Sequence, residues 1–328
     1  MSARQIVALW VGIVTVVFLA VGSLFVGRSG LPAGDVIDAI VGGAGRDADT
    51  VLGLRMPRML LAILAGLGLG VSGALMQLLT RNPIADPGLL GANAGAAMAV
   101  ILGFVAFGIE QTWQQVGLAF AGAGTTSLLV HALAARVAAS PARLVLVGVA
   151  VSSVFGGISS IVLTRDAELA RSILGWAAGS FIIVDVSILY TVAPLIVLGV
   201  VMAFSLRASL DGMALGDDVA RSIGVDVRRA RLLAHLFIAA LAGAATAGAG
   251  PIAFVGLVVP HMVRLVLGQS AMVLLVGSAV FGPVLTLLSD MAARLLLPHG
   301  ELAVGLVTSA IGAAFLILLV RGRVRLWV

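Results

Sequence analysis

The residues that could do chemistry in this chain are few, and most are arginines and aspartates. Arg55 and Arg58 stand three apart with Pro57 between them, so a helix carrying both presents them on one face. Two fixed guanidinium groups in that arrangement suit either snorkelling at a membrane interface or pairing with carboxylates on an external partner. Asp290 and Arg294 lie four apart and can pair with one another, or Arg294 can join Arg55 and Arg58 as a third external docking charge. Catalysis finds less support. His131, His235, His261 and His299 are scattered, no second ligand stands at metal spacing beside His261, and Tyr190 is the one tyrosine. The chain has no cysteine, which removes disulfides, thiolate nucleophiles, iron–sulfur ligation and Cys-based zinc sites. All 20 basic residues are arginine, and without lysine there is neither a Walker-A phosphate loop nor a Schiff base. No metal site and no site for splitting ATP is legible. If ATP drives this protein, the ATPase is another chain.

The elements that must hold these residues are membrane helices. Hydrophobic side chains make up 61% of the 328 residues and charged ones 11%, against about 45–50% and about 25% in soluble domains. Gln5–Gly27, Met59–Thr80, Thr112–Ala135, Leu144–Thr164 and Val186–Leu206 carry no charge, and each can cross a hydrocarbon layer about 30 Å thick. Met1-Ser-Ala-Arg4 and the apolar stretch after it read as an uncleaved first span. With Arg4 inside, successive loops alternate sides, which places Arg81–Pro87 and Arg207–Arg231 within and Arg28–Leu54 without. The basic C-terminal stretch Arg321–Arg325 belongs inside, so an even number of crossings must follow Arg231. That requires the long run Leu232–Val263 to split at Gly248-Ala-Gly250-Pro251, into a helix near 232–249 and a shorter one near 252–267. The expectation is an all-α polytopic membrane protein, one domain over 1–328, with ten transmembrane helices and both termini cytoplasmic. On this arrangement 13 arginines face 5 acidic residues inside, and 7 face 10 outside, as the positive-inside rule demands. The basic pI therefore reports orientation and implies no nucleic acid. Gly66, Gly68, Gly70 and Gly73 lie inside one span, where small residues let helix backbones approach closely in lipid.

Three further segments interrupt the helical pattern. Arg81-Asn82-Pro83-Ile84-Ala85-Asp86-Pro87-Gly88 holds two prolines four residues apart, which enforces a rigid non-helical corner on the inner side. In the inner loop of about 207–231, Asp217 and Asp218 favour a short helix through its dipole, and Gly224 is a left-handed stop. Val219 and Ile223 share a face of that helix, suited to a groove on a soluble partner. Gly250-Pro251 breaks a helix, and Pro260 stands beside His261 and Arg264 in the next.

Taken together the segments resemble the FecCD/BtuC-type permease family, from roughly Leu54 to Arg321. The motifs are Arg-x-Pro-Arg at 55–58, Asn-Pro-x-Ala-x-Pro at 82–87 and Leu-Gly-x-x-x-Ala-Arg-x-x-Gly at 215–224. Phe-x-Gly-Leu-x-x-Pro-His-x-x-Arg at 254–264 and Asp-x-x-Ala-Arg at 290–294 complete the set. The resemblance implies a type II ABC importer permease fold in the cytoplasmic (inner) membrane of a bacterium. It implies a second permease subunit, identical or paralogous, two copies of a cytosolic ABC ATPase that bind ATP and Mg, and a periplasmic or lipid-anchored substrate-binding protein. It assigns Arg55, Arg58 and Arg294 to docking of the binding protein. It assigns Leu215, Gly216, Asp217, Asp218, Ala220, Arg221 and Gly224 to coupling with the ATPase, and Asn82 and Ile84 to the inner gate. A second gate element falls at Ser140-Pro141-Ala142, without the hydroxyl pair some members carry, and Trp176-Ala-Ala-Gly179-Ser180 is similar to a short outer helix after the fifth span. The implied cargo is an iron–siderophore complex, with haem or cobalamin as alternatives. No cofactor is implied for this chain itself. An ion-coupled secondary transporter would need ionisable residues buried in its spans, and Asp290 is the main candidate.

Overall fold

The computed structural model describes residues 2–27, 30–43, 45–109, 111–136, 141–165, 175–182, 186–297 and 300–321, and among them every regular element is helical. Helix α1 (Ala3–Phe25) opens on a capping box in which Ser2 Oγ accepts from the Gln5 backbone and Gln5 Oε1 accepts from that of Ser2. The segment expected as an outer loop contains two short helices, α2 (Ala33–Val41) and α3 (Arg46–Thr50). They close a small apolar cluster of Leu24, Val36, Ala39, Ala48 and Val51. One π-helical turn, Val51–Arg55, then leads without a break into α4 (Met56–Thr80). Pro57 has no N–H to give and crowds the preceding turn, and the wider π turn sits where that strain would fall.

After a short 3₁₀ turn at Pro87–Leu90 come α5 (Ala92–Phe107), α6 (Thr112–Arg136), α7 (Pro141–Arg165) and α8 (Val186–Ser205). The segment expected as the inner loop forms α9 (Arg207–Ala214) and α10 (Asp217–Ser222), and α11 (Val227–Ala249), α12 (Val255–Leu267), α13 (Ala271–Leu295) and α14 (Val304–Val320) follow. The break expected near Gly250-Pro251 separates α11 from α12. Gly250 adopts φ +70° there, and a Cβ on it would strike the Trp176 carbonyl. Among the described residues six helices are long and apolar enough to cross a membrane, and α5, α12 and α14 are shorter apolar helices beside them.

Helix α4 is the centre of the bundle. It packs along α13 and α11 and also touches α12 and α8, whereas α7 leaves most of its length uncovered by this chain. The glycines of α4 make the closest approaches possible. Gly66 lies against the Gly282 backbone of α13 and Gly73 against that of Gly256 in α12, with no room for a side chain at either crossing. Thr286 of α13 adds a hydrogen bond to the Ala62 carbonyl at 2.7 Å.

Candidate functional site

The three arginines expected to dock a binding protein come together at one end of the bundle, but not as open charges. Arg58 donates through Nε to Asp290 Oδ1 at 2.9 Å and through Nη1 to Glu301 Oε2 at 2.6 Å. Arg294 pairs with the other oxygen of Asp290, the i, i+4 contact anticipated from spacing. The last turn of α1 leaves carbonyls without helical partners. Arg55 donates to that of Leu24 at 2.6 Å, and Arg294 to those of Ser23 and Val26 at 3.0 and 2.8 Å. Positive groups at a helix C-terminus also meet its dipole favourably. Asp290 is fully buried and the three arginines are 6–9% exposed. Within the single chain, then, each of these arginines serves the fold: two close the end of α1, and two neutralise Asp290. Glu301 is a member that spacing could not find, because 243 residues separate it from Arg58.

At the opposite end of α4 the chain turns through Arg81, whose backbone is left-handed at φ 52°. The two-proline corner is present as expected. Asn82 Oδ1 accepts from the Ile84 backbone at 3.1 Å, and Asp86 Oδ1 from that of Gly88 at 2.7 Å. From the neighbouring helices, Gln77 donates to the Leu257 carbonyl at 3.1 Å and the His261 ring lies 3.3 Å from the Pro83 carbonyl. A largely apolar cavity of about 410 Å³ opens beside the corner, lined by Ile84, Asp86, Asn93, Phe254, Leu257 and Leu316 among others. Ile84 thus faces open space, and Asn82 fixes the backbone that presents it. Phe254 is the other non-glycine residue with positive φ among those described, a strained conformation of the kind found where function needs it. Burial pushes the Asp86 carboxyl up to about 6, against backbone hydrogen bonds from Gly88 and Leu257 that favour its charged form.

The segment expected to couple to the ATPase lies at this same end. Gly216 at φ +111° and Gly224 at φ +85° bracket α10, the latter being the left-handed stop expected there. Leu215, Val219 and Ile223 recur every four residues and are exposed at 69%, 43% and 60%, an apolar ridge left open by the described residues. Ala220 faces the opposite way and is buried. Asp218 points outward and pairs with Arg221 at 2.8 Å. Asp217 turns inward instead, with Arg81 on one oxygen and Arg231 on the other, each at 2.6 Å. Partial burial works to raise the Asp217 pKa, but hydrogen bonds and charge from Arg231 and Arg81 outweigh it and hold the group below the usual carboxylate range. Among the described residues no three His, Asp or Glu side chains gather as a metal site would require. Ser140 lies outside the described residues, as do the side chains of Pro141 and Ala142, so the second gate element is not placed. Trp176–Ser180 lies over the α11–α12 break, where the Ser180 N–H meets the Ala249 carbonyl at 2.9 Å.

An apolar helical bundle with an exposed ridge and a cavity at a rigid corner fits a transport subunit. Its relatives agree. The model of the FecCD transport family matches residues 14–322. The ferric enterobactin transport system permease protein FepD of Escherichia coli K12 is 41% identical, over 92% of this chain and 91% of its own. The hemin transport system permease protein HmuU of Yersinia pestis is 36% identical over 82% of each. A solved structure described as an inward-facing conformation of a metal-chelate type ABC transporter superposes with a TM-score of 0.83. It is 27% identical and covers 96% of this chain and 98% of its own. The chain belongs to the FecCD transport family, the transmembrane permease subunits of ABC importers.

Proposed function

We propose that this chain carries an iron–siderophore complex across the cytoplasmic membrane as one subunit of a binding-protein-dependent importer. The observation that carries the reading is the exposed ridge of Leu215, Val219 and Ile223, set at the same end of the bundle as the corner and its cavity. An apolar ridge on a charged inner loop suits the groove of a soluble partner. Because the chain lacks lysine, and with it a Walker-A site, that partner is the ATPase, which binds ATP and Mg. The chain crosses ten times with both termini in the cytosol, and it works beside a second permease subunit and two ATPases. Arg55, Arg58 and Arg294 mark the outer face over which the binding protein sits. ATP-driven closure of the ATPases tilts the helices and exchanges an outward opening for an inward one. Asn82 and Ile84 form the inner gate.

The test is uptake of a radiolabelled ferric siderophore by a strain that lacks this chain. Complementation should restore it, and inactivating the ATPase should abolish it again. Uptake that survives loss of the ATPase but collapses with a proton ionophore would make the protein an ion-coupled carrier and overturn the proposal. The hemin relative gives a second cargo specific support. Restored haem uptake without siderophore uptake would transfer the assignment.

A further inference from the structure

Asp217 and Asp218 are adjacent at the start of one short helix, yet the fold gives them opposite tasks. The Asp218 side chain is 98% exposed and pairs with Arg221 on its own helix. The Asp217 side chain is 26% exposed, and its two oxygens are committed to two different membrane helices. Arg81 belongs to the cap of α4 and starts the corner that presents Ile84, while Arg231 lies in the first turns of α11. The positive φ of Gly216 lets the chain reverse just before Asp217, a conformation that a side chain there would resist. Arg81 is also held left-handed, a costly state for a residue with a Cβ, and its guanidinium is the part that meets Asp217. The same loop has a further tie, since Asp211 Oδ1 accepts the N–H of Ala271 at the head of α13 at 2.7 Å.

We propose that Asp217 is a positioning residue for transport, the joint through which displacement of the inner loop reaches α4 and the gate corner. The inference rests on the reading that this loop seats the ATPase. It goes beyond that reading by turning one member of the coupling segment away from the ATPase and onto Arg81 and Arg231. A short rigid helix moved by a partner shifts a gate only if something ties it to the gate's helix. In this loop the carboxylate of Asp217 is the group that touches Arg81. The two bonds are partly exposed and worth little to overall stability, so their value lies in direction: they bring the ends of α4 and α11 along with α10.

The experiment uses the complete complex, permease with ATPase and binding protein, reconstituted in liposomes. Asp217→Asn, Arg81→Gln and their combination are compared by ATP hydrolysed, by ferric siderophore delivered, and by thermal midpoint. The expected result is that either single change lowers delivery per ATP by about tenfold, within the range of coupling between linked sites. Hydrolysis, assembly and midpoint stay put, and the double variant is no worse than Asp217→Asn alone, because Arg81 acts through that carboxylate. Losses that multiply, or a delivery-to-hydrolysis ratio unchanged in either single variant, would overturn the joint. Loss of assembly with Asp217→Asn alone would overturn it as well, by making Asp217 a direct ATPase contact. The chain has no cysteine, so Val219→Cys offers a clean crosslinking site to the ATPase. If that crosslink fails in the otherwise native complex, the seat of the ATPase lies elsewhere, and the loop reading falls together with the joint.

Discussion

The two ends of α4 carry the same arrangement in different surroundings. At one end Asp290 is shared between Arg58 and Arg294, and at the other Asp217 is shared between Arg81 and Arg231. Asp290 is sealed from solvent, whereas the side chains around Asp217 are 26–43% exposed. A buried ion pair is held because breaking it strands an unpaired charge. A solvated pair can be exchanged at little cost. The first is suited to fixing a shape and the second to passing on a change, so identical chemistry serves two purposes according to its depth.

Asp290→Asn should have the largest effect on stability, about 3–5 kcal/mol, because two arginines then lie buried without their common carboxylate. The thermal midpoint and the yield of purified protein measure it, and a loss no larger than a surface substitution would erase the contrast. Between the two ends, Gly73→Ala forces a Cβ into the Gly256 backbone. Overpacking of that kind costs about 1–3 kcal/mol, again read from the midpoint. Glu301→Gln removes one of the two acids on Arg58 at a site 17% exposed, for about 1 kcal/mol. It also sharpens the docking proposal. Reversing Arg58 would set three carboxylates together and endanger the fold, whereas Glu301→Gln leaves a guanidinium for a partner's acid. Affinity for the binding protein in nanodiscs should rise, and a fall would count against docking at this face.

A further pair of effects concerns protons. Asp86, raised to about 6, binds more protons folded than unfolded, so its corner grows less stable as pH climbs from about 4 to 6. Asp217, lowered from 3.8, has the opposite sign, and its contribution is present above about pH 4 and lost below. Thermal midpoints across this range should show the Asp86 slope flattened in Asp86→Asn and unaltered in Asp217→Asn.

Sequence showed most of what depends on neighbours along the chain. The prolines at 83 and 87 declared the corner, Gly250-Pro251 the helix break, Gly224 the end of the coupling helix, and four-residue spacing the Asp290–Arg294 pair. What it hid depends on which helices meet. Arg58–Glu301 and Arg81–Asp217 span 243 and 136 residues, and no periodicity in either partner points at the other. The burial of Arg55 and Arg294 was hidden for the same reason, since their acceptors are carbonyls at the end of α1, which any sequence would supply. Helices α2 and α3 escaped notice because each is too short to show a helical period.

From Arg58 to Arg81 helix α4 measures about 35 Å at 1.5 Å per residue. Near its middle the glycine crossings with α13 leave no gap, so that point can roll but not slide. A rod held at its waist is a see-saw. Any tilt that carries the Arg81 end towards the cavity must swing the Arg58 end the other way. One helix with a glycine fulcrum thus links movements at its two ends in opposite directions.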